Sequence, residues 1–286
     1  MDIKWWVKIP AKIVLSRLPI KYSTFRRLSM FKHGDMIDPQ YAFGIAKQHY
    51  DKAKSSLKQG FTALELGPGD SLMSALNITA LGAEKCYLVD VGEFATKDIE
   101  RYKAGLAYLD EHSMALTKVN KDPETLAELL EAIDASYLIN GLASLKTIPD
   151  QSVDMIWSHS VLQHVRLAEF DAVLAELYRV LKPNGIFSNV IDLTDTIDDT
   201  LNNLRFNDKL WEAEFIANSG FYTNRLRCNE MMQKFKQAGF TVSSEETRSW
   251  QNLPIKQARF NQKYKDYPEQ DLLIYGCDVV LKKSLQ

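Results

Sequence analysis

The sequence contains few cysteines and no long apolar run. The three thiols in 286 residues, Cys86, Cys228 and Cys277, lie far apart without a CxxC pair. They give neither a disulfide framework nor a metal motif, and they fit a reducing compartment. No segment approaches the roughly 20 apolar residues that a membrane-spanning helix needs. The formal charge of −2 provides no overall field that would favour nucleic acid. We therefore expect an ordinary globular protein in the cytoplasm, with no nucleic-acid partner.

The N-terminal segment differs from the rest of the chain in its charge. Lys4, Lys8 and Pro10 interrupt it, so it lacks the apolar region of a signal peptide. A basic segment with interleaved aromatic residues could contact an anionic membrane surface or an acidic ligand, or it could be a helical extension that packs on the main domain. We assign residues 1–58 to an N-terminal helical extension that forms a lid. The residues concerned are Asp2, Lys4, Trp5, Trp6, Lys8, Lys12, Arg17, Lys21, Phe25, Arg26, Arg27, Phe31 and Lys32.

Residues 59–286 alternate short apolar segments with amphipathic ones. The predicted strands are "FTALEL", "KCYLVDV", "SYLING", "DMIWSHS", "IFSNVIDL", "TVSSEE" and "DLLIYGCDVVLKK", and the intervening helices include 93–112 and 168–185. This alternation predicts an α/β fold with a doubly wound, mostly parallel sheet of seven strands. Residues 193–225 and 249–270 interrupt the pattern. We assign the first, about 193–225, as a lid insert, because long irregular stretches are more often functional than idle.

A glycine turn, "LELGPGDSL" at residues 64–72, joins the first strand to a helix. Gly67 and Gly69, on either side of Pro68, allow positive φ and leave no Cβ in the way of a ligand. A dinucleotide fingerprint would need a third glycine where this sequence has Leu72. The turn therefore predicts a site for a ligand other than a dinucleotide.

Three acidic residues narrow the choice of ligand. Glu65 and Asp70 would serve a phosphate poorly, but Glu65 could hold an amino-acid ammonium group, directly or through water. Asp90 ends the second strand, where an acid can accept hydrogen bonds from both ribose hydroxyls of a nucleoside. An amino-acid group at the first strand and a ribose at the second describe S-adenosylmethionine.

At these residues the chain resembles the class I S-adenosylmethionine-dependent methyltransferases of the type 11/12 kind. The motifs are "LELGPGDSL", "YLVDV", "IPDQSVDMIWSHSVLQHV" and "ELYRVLKPNGIF", in the order and spacing of that family. The resemblance covers about residues 60–282 and implies a Rossmann-like fold and S-adenosylmethionine as cofactor. The cofactor-binding residues that it implies are Glu65, Gly67, Pro68, Gly69, Asp70, Asp90, Val91, Leu142, Ala143 and Ser158.

The sequence departs from the family pattern at three positions. Ser71 replaces the third glycine of the loop, and Leu142 stands where relatives often have an acid near the adenine. Gln163 replaces the usual glutamate of an "EHV" motif. Adenine recognition must then depend on backbone groups near Leu142 and Ala143, or on another side chain.

The catalytic candidates follow the fourth predicted strand, in "SHSVLQH". A hydroxyl acceptor must lose its proton near the transition state, and His159 or His164 could take it. We favour His159 because it leaves the strand end first; either histidine could instead cap a helix or fix the loop. The predicted reaction is O-methylation of a small-molecule or glycan acceptor, by resemblance to bacterial members that modify glycans or secondary metabolites. The alternatives are an aminopropyl or other transferase, or a non-catalytic cofactor-binding domain.

Two further groups of polar residues lie after the fifth strand. Asp192, Asp195, Asp198 and Asp199 could bind Mg²⁺, but such acidic loops are usually only solvated, and we predict no metal site. Tyr222, Asn224 and Arg225 in the insert are assigned to the acceptor, because arginine suits a carboxylate or phosphate. These side chains could equally tie the insert to the sheet. A nucleic-acid methyltransferase is disfavoured because no "NPPY"-type motif is present.

Overall fold

The computed structural model describes residues 5–15, 17 and 34–283. The strands are β1 Phe61–Leu66, β2 Ala83–Val89, β3 Ala135–Leu138, β4 Val153–His159, β5 Leu181–Asp192, β6 Phe240–Ser249 and β7 Ile274–Lys283. The α-helices are α1 Trp5–Leu15, α2 Pro39–Ala53, α3 Met73–Ala80, α4 Ile99–Glu111, α5 Leu126–Ala132, α6 Gly141–Leu145, α7 Leu167–Val180, α8 Asp208–Trp211, α9 Glu214–Ala217, α10 Cys228–Gln237, α11 Gln262–Lys265 and α12 Glu269–Leu273. Short 3₁₀ turns lie at Lys54–Ser56, Leu162–His164, Asn202–Arg205 and Gln257–Arg259. Asp2, Lys4, Lys21, Phe25, Arg26, Arg27, Phe31 and Lys32 lie outside the described residues.

The strands form one sheet of seven strands in the order β3-β2-β1-β4-β5-β7-β6. The pairs from β3 to β5 are parallel, whereas β7 runs antiparallel to both β5 and β6. The predicted mostly parallel α/β sheet is confirmed. The carboxyl ends of β1, β2, β4 and β5 meet at one edge, so the residues that follow them lie close together.

Alternation along the strands produces two hydrophobic cores, one on each face of the sheet. Leu64, Ile156 and Phe187 contribute to the first core. Their sequence neighbours Ala63 and Met155 contribute to the second, because successive side chains of a strand point to opposite faces. Both faces are buried, which explains why the parallel strands are nearly continuous apolar runs.

Helix α2, within the predicted N-terminal extension 1–58, packs on the sheet. Asp38 caps it by accepting a hydrogen bond from Tyr41 N, and Pro39 occupies its first turn. Ala42 and Ala53 are fully buried in the same core as β1 and β2. Helix α2 therefore forms a layer on the face of the sheet.

Two helices have boundaries that differ from the predicted ones, each for a local reason. The helix expected over 168–185 ends at Val180, and Leu181 is already extended. Pro183 contributes to this, because its ring disfavours the helical conformation at Lys182 and it has no N–H to continue the helix. The helix expected over 93–112 begins only at Ile99, where the Asp98 side chain accepts from Glu100 N.

The two irregular stretches fold into small clusters of their own. Residues of α8, α9 and the following turn form one cluster, against which Trp5, Ile9 and Ile13 of α1 pack. Residues after β5 and after β6 form the other, which includes Leu204 and Tyr264. Within the described part of the chain, the helices lack the length and apolar character that crossing a bilayer requires.

Candidate functional site

The glycine loop after β1 adopts the conformation that its sequence predicts. Gly67 and Gly69 have φ of +74° and +66°. A Cβ on Gly67 would lie 2.5 Å from Val161 Cγ2, so glycine here lets the loop after β4 pack directly on this turn. A Cβ on Gly69 would meet no heavy atom of the described chain within 4 Å. The loop is therefore closed by protein at Gly67 and open at Gly69.

Asp90 connects this loop to the end of β2. Its Oδ2 accepts a hydrogen bond from Gly69 N at 3.1 Å, and its Oδ1 accepts one from Val91 N at 2.7 Å. Burial raises the pKa of the Asp90 carboxyl, although both backbone hydrogen bonds act in the opposite direction. Each oxygen keeps a second lone pair for a ligand hydroxyl. Asp70 Oδ1 is buried and has no hydrogen-bond partner among the described residues.

An apolar surface continues from Asp90. Val91 is 77% exposed, which is unusual for a valine beside a strand end. Gly141 N donates to Asp90 O at 2.8 Å and brings α6, with Leu142 and Ala143, to the same place. Ala143 is exposed and Leu142 half-buried, so these residues and Val91 offer apolar surface to a flat aromatic group.

Glu65 lies deeper than its position in the motif suggested. Its Oε1 accepts from Trp157 Nε1 at 3.1 Å, and its Oε2 accepts from the Ser74 hydroxyl. Burial raises the pKa of Glu65 to about 7. Because protein donors occupy both oxygens, the geometry favours an indirect role toward an ammonium group over direct contact. Glu65 also holds α3 to the sheet.

Ser158 lies on the opposite face of the sheet from Glu65 and Trp157. It is fully buried, and its hydroxyl donates to Asn189 Oδ1 of β5 at 2.8 Å. Its side chain therefore joins two strands, and only its backbone is placed beside the loop after β1, where it pairs with Leu66.

His159 ends β4 and contacts a second histidine that sequence reasoning missed. His49 of α2 places its Nε2 3.2 Å from His159 Nδ1 and its Nδ1 2.8 Å from Ser188 Oγ. Burial lowers the pKa of His159 to about 4, and burial likewise holds the pKa of His49 well below its usual value. His49 lies in the stripe Ala42, Ile45, Ala46, His49, Ala53, and a histidine on the buried face of a helix is the signal that could have identified it.

A charged group lies beyond the histidine pair at the edge of the sheet. Asp278 of β7 accepts from Lys52 Nζ at 3.2 Å and from Arg248. The negative charge of Asp278 favours protonation of His159, whereas Lys52 and Arg248 oppose it. Burial remains the largest influence, so His159 is neutral at neutral pH.

His164 is held by the insert. Its Nδ1 donates to Tyr222 O at 2.8 Å, because a carbonyl can only accept. The Tyr222 hydroxyl donates to Glu212 Oε2 and accepts from Leu167 N, at 2.8 and 3.1 Å. These contacts fix the turn after β4 against the segment 219–225.

Asn224 and Arg225 also hold the insert to the domain. Asn224 Nδ2 donates to Leu162 O at 2.8 Å. Arg225 is buried, donates to Phe206 O at 2.7 Å and pairs with Asp208 at 2.6 Å. For Tyr222, Asn224 and Arg225 the geometry favours the second alternative, in which the side chains tie the insert in place. Their assignment to the acceptor stays a prediction beside this structural role.

The acidic loop after β5 is organised by its own carboxylates. Asp195 is 1% exposed and accepts hydrogen bonds from Ile197 N, Asp198 N and the Thr200 hydroxyl. Asp198 pairs with Lys8 of α1. Among residues 5–15, 17 and 34–283, groups of three or more His, Cys, Asp or Glu arranged to hold a metal ion are absent.

Comparisons with known proteins agree with this geometry. The family model described as a methyltransferase domain matches residues 101–188. Phosphoethanolamine N-methyltransferase 2 of Haemonchus contortus, solved with phosphomonomethylethanolamine and S-adenosylhomocysteine, is 13% identical, with a TM-score of 0.51 over 99% of this chain and 61% of that one. A methyltransferase from Methanosarcina mazei is 14% identical over 83% of this chain and 99% of that one, with a TM-score of 0.47. At such an identity the likeness to the Haemonchus contortus structure shows the fold alone. A search of curated proteins gave no match.

The sheet order, the glycine loop with Asp90 and the matched family model point to one kind of fold and one cofactor. Residues 101–188 match a methyltransferase domain and the sheet has a Rossmann-like order, so we assign S-adenosylmethionine as the cofactor. The residues present fit this cofactor, because Gly69 is open, Asp70 Oδ1 lacks a partner in the described chain, and Val91 is exposed.

Proposed function

We propose that the protein methylates a hydroxyl oxygen of a small-molecule or glycan acceptor, with His159 as the base. The observation that carries this proposal is the position of His159 at the end of β4, immediately before the turn whose Val161 packs on Gly67. When bound, S-adenosylmethionine supplies the reactive methyl group, and the protein supplies alignment and deprotonation of the acceptor.

The hydrogen bonds of His159 define which of its nitrogens can accept a proton. If His159 Nδ1–H donates to His49 Nε2, then His49 Nδ1–H donates to Ser188 Oγ, and His159 Nε2 is the free acceptor atom. With a pKa of about 4, His159 is neutral across the physiological range but is a weak base. Proton transfer should therefore accompany methyl transfer and not precede it.

His164 is the second candidate base. Because Nδ1 donates to Tyr222 O, its neutral tautomer has Nε2 as the acceptor, which is also suited to a base. Its contacts with the insert give it a structural role as well, so its replacement should affect stability, whereas replacement of His159 should not affect the insert.

We also propose that α1 and the insert cover the acceptor side of the sheet. Trp5, Ile9 and Ile13 pack on the insert, and the Arg205 guanidinium lies 4.8 Å from the Trp5 ring centroid. The insert follows β5 and is tied to the turn after β4, so it lies beside the edge that holds the cofactor loop. A cover here would exclude water from the reaction and position the acceptor.

Single replacements of the two histidines test the reaction. We expect His159→Ala to lower kcat by roughly 10²–10⁴-fold, because a positioned base contributes that much, with the affinity for S-adenosylmethionine nearly unchanged. S-adenosylhomocysteine release over pools of hydroxylated acceptors gives the rate, and calorimetry gives the affinity. If His159→Ala and His164→Ala both keep full kcat from pH 5 to 9, the proton leaves by another route. Product masses distinguish methyl from aminopropyl transfer.

His49 should act as a positioning residue for His159. We expect His49→Phe to lower kcat by roughly 10- to 100-fold through misorientation of the base, with little change in cofactor affinity. His49→Gln keeps a polar atom toward His159 and should recover part of the rate. Ser188→Ala removes the hydroxyl that His49 contacts on the side away from His159, and it is the matched control for that end of the Ser188–His49–His159 contacts. Equal kcat and equal pH–rate profiles for wild type and His49→Phe would contradict this role.

A further inference from the structure

Helix α1 lacks the charged outer side of an ordinary surface helix. The described side chains of α1 that are exposed are Trp6, Val7, Pro10, Ala11 and Val14, and all of them are apolar. Trp6 is 56% exposed and Val14 is 59% exposed. An amphipathic helix on a globular protein normally shows its charged side to water. Here the side that faces away from the protein carries no charge.

The lysines of α1 are turned toward the protein. Lys8 Nζ pairs with Asp198 and also lies within hydrogen-bond distance of Ile197 O. Lys12 Nζ donates to Thr196 O at 2.6 Å. Ile9 and Ile13, the next residues along the helix, pack on the insert beside these lysines. The orientation of α1 is therefore fixed by contacts with residues 196–198 and the insert, and the apolar side is left outward.

Apolar exposure continues on the short helices that α1 covers. Leu210 of α8 is 39% exposed and Phe215 of α9 is 42% exposed, and both neighbour residues that pack against α1. Arg17 lies one turn beyond Val14, is exposed, and donates its backbone N–H to Val14 O. The sequence on both sides of α1 is basic, since Asp2 is the only acid of residues 1–33.

We propose that the outward side of α1 docks onto an anionic lipid bilayer, with Trp6 and Val14 inserted at the headgroup level. Tryptophan favours this depth, and an apolar helix side flanked by positive charge is the combination that holds a helix in the plane of a bilayer. A short helix gives only weak binding by itself, so the basic residues of the same segment supply the second contribution. The proposal does not depend on the methyl acceptor, because it concerns the outward side of α1 and not the glycine loop.

Vesicle sedimentation with the full chain tests the proposal. We expect binding to phosphatidylcholine vesicles that contain phosphatidylglycerol, much weaker binding to phosphatidylcholine alone, and a loss of binding as salt is raised. The double variant Trp6→Ser, Val14→Ser should reduce partitioning by roughly tenfold or more, from the apolar area that no longer inserts. Tyr41→Ser is the matched control, because Tyr41 is a similarly exposed aromatic residue on α2, at 39%. Calorimetry with S-adenosylmethionine shows that each variant is folded.

Three results would overturn the proposal. The first is absence of binding by wild type to the anionic vesicles. The second is a dimer by light scattering that the double variant abolishes, with no vesicle binding, which would make a second copy the occupant. The third is equal vesicle binding by wild type and the double variant, which would leave the basic residues alone responsible.

Discussion

Asp90 is the single residue that links the glycine loop to the apolar surface beside it. Its oxygens accept from Gly69 N and Val91 N, and its carbonyl accepts from Gly141 N. One side chain therefore fixes the shape of the loop after β1, and we propose that its remaining lone pairs bind a ribose. The sequence identified this residue because an acid at the end of the second strand has few other uses in such a fold.

Replacement of Asp90 by alanine should weaken the binding of S-adenosylmethionine. Loss of hydrogen bonds to a charged group costs about 1.5–3 kcal/mol each, which corresponds to a decrease in affinity of roughly 10- to 100-fold. Isothermal titration calorimetry measures the change, and Asp122→Ala, on an exposed loop, is the control. Equal affinity for wild type and Asp90→Ala would remove Asp90 from the cofactor site.

The pH dependence of stability should report on Glu65. Burial raises its pKa in the folded protein from 4.5 to about 7, so between these values the folded state binds more protons than the unfolded state. The contribution of Glu65 to stability is therefore fully present below pH 4.5 and is lost as the pH rises to about 7. Glu65→Gln should remove this loss, so its stability relative to wild type should rise by on the order of 3 kcal/mol as the pH increases from about 4.5 to about 7.

Urea unfolding at several pH values measures this difference. Glu111→Gln, at the exposed end of α4, is the control and should follow wild type at every pH. Parallel stability curves for wild type and Glu65→Gln would show that Glu65 titrates at its ordinary value, with water reaching its carboxylate. Binding of S-adenosylmethionine by Glu65→Gln then shows whether the charge itself is needed, since the amide keeps both contacts with Ser74 and Trp157.

At the scale of elements, the structure gives the insert a role that its sequence only partly indicated. Residues 193–225 lack a helical or strand period, so α8 and α9, of four residues each, could not be predicted from pattern. Their stability comes from tertiary contacts. Trp211 donates its Nε1–H to Thr223 O at 2.7 Å and packs beside α1.

Arg225 should therefore affect the insert more than the cofactor site. Arg225→Ala removes the pair with the half-exposed Asp208 and the bond to Phe206 O, and we expect a loss of about 2–3 kcal/mol of stability. Cofactor affinity should stay within about twofold of wild type, since Arg225 does not contact the glycine loop, while acceptor turnover falls. Denaturant unfolding, calorimetry and turnover are compared with those of Arg259→Ala, an exposed control. A loss of cofactor affinity equal to the loss of turnover would show that the insert and the cofactor site unfold together.

Much of the fold was predictable from the sequence, and most of the contacts around the histidines were not. The strands and the glycine turn follow from local periodicity and from glycine chemistry, which act within a few residues. The contact between His49 and His159 joins residues 110 positions apart, and no spacing rule predicts it. The contacts of Glu65 could not be predicted either. Its position in the motif suggests a ligand contact, but Trp157 and Ser74 donate hydrogen bonds to its two oxygens.

At the scale of the whole molecule, the total charge is nearly neutral, but positive and negative charges are unevenly distributed along the chain. Residues 1–33 are strongly basic and residues 34–286 carry net negative charge. A negatively charged body is repelled by an anionic bilayer while the basic segment is attracted, so a bound molecule would be oriented with α1 toward the lipid. The same segment packs on the insert through Trp5, Ile9 and Ile13, which places the proposed lid and the proposed bilayer contact on opposite sides of one helix.

Deletion of residues 1–33 tests the two roles of this helix together. The glycine loop, Asp90 and α2 all lie within residues 38–90, so cofactor affinity should remain within about twofold of the full chain. Turnover of the acceptor should be lost, because Trp5, Ile9 and Ile13 no longer cover the insert and water reaches the site.

The variant Ile9→Asp keeps the outward side of α1 but breaks its packing on the insert, and it should lose turnover as well. Normal turnover by the truncated protein would show that the segment is not a lid. Normal turnover together with lost vesicle binding would assign α1 to the bilayer alone, whereas retained vesicle binding would remove that role and leave the apolar side of α1 to another partner.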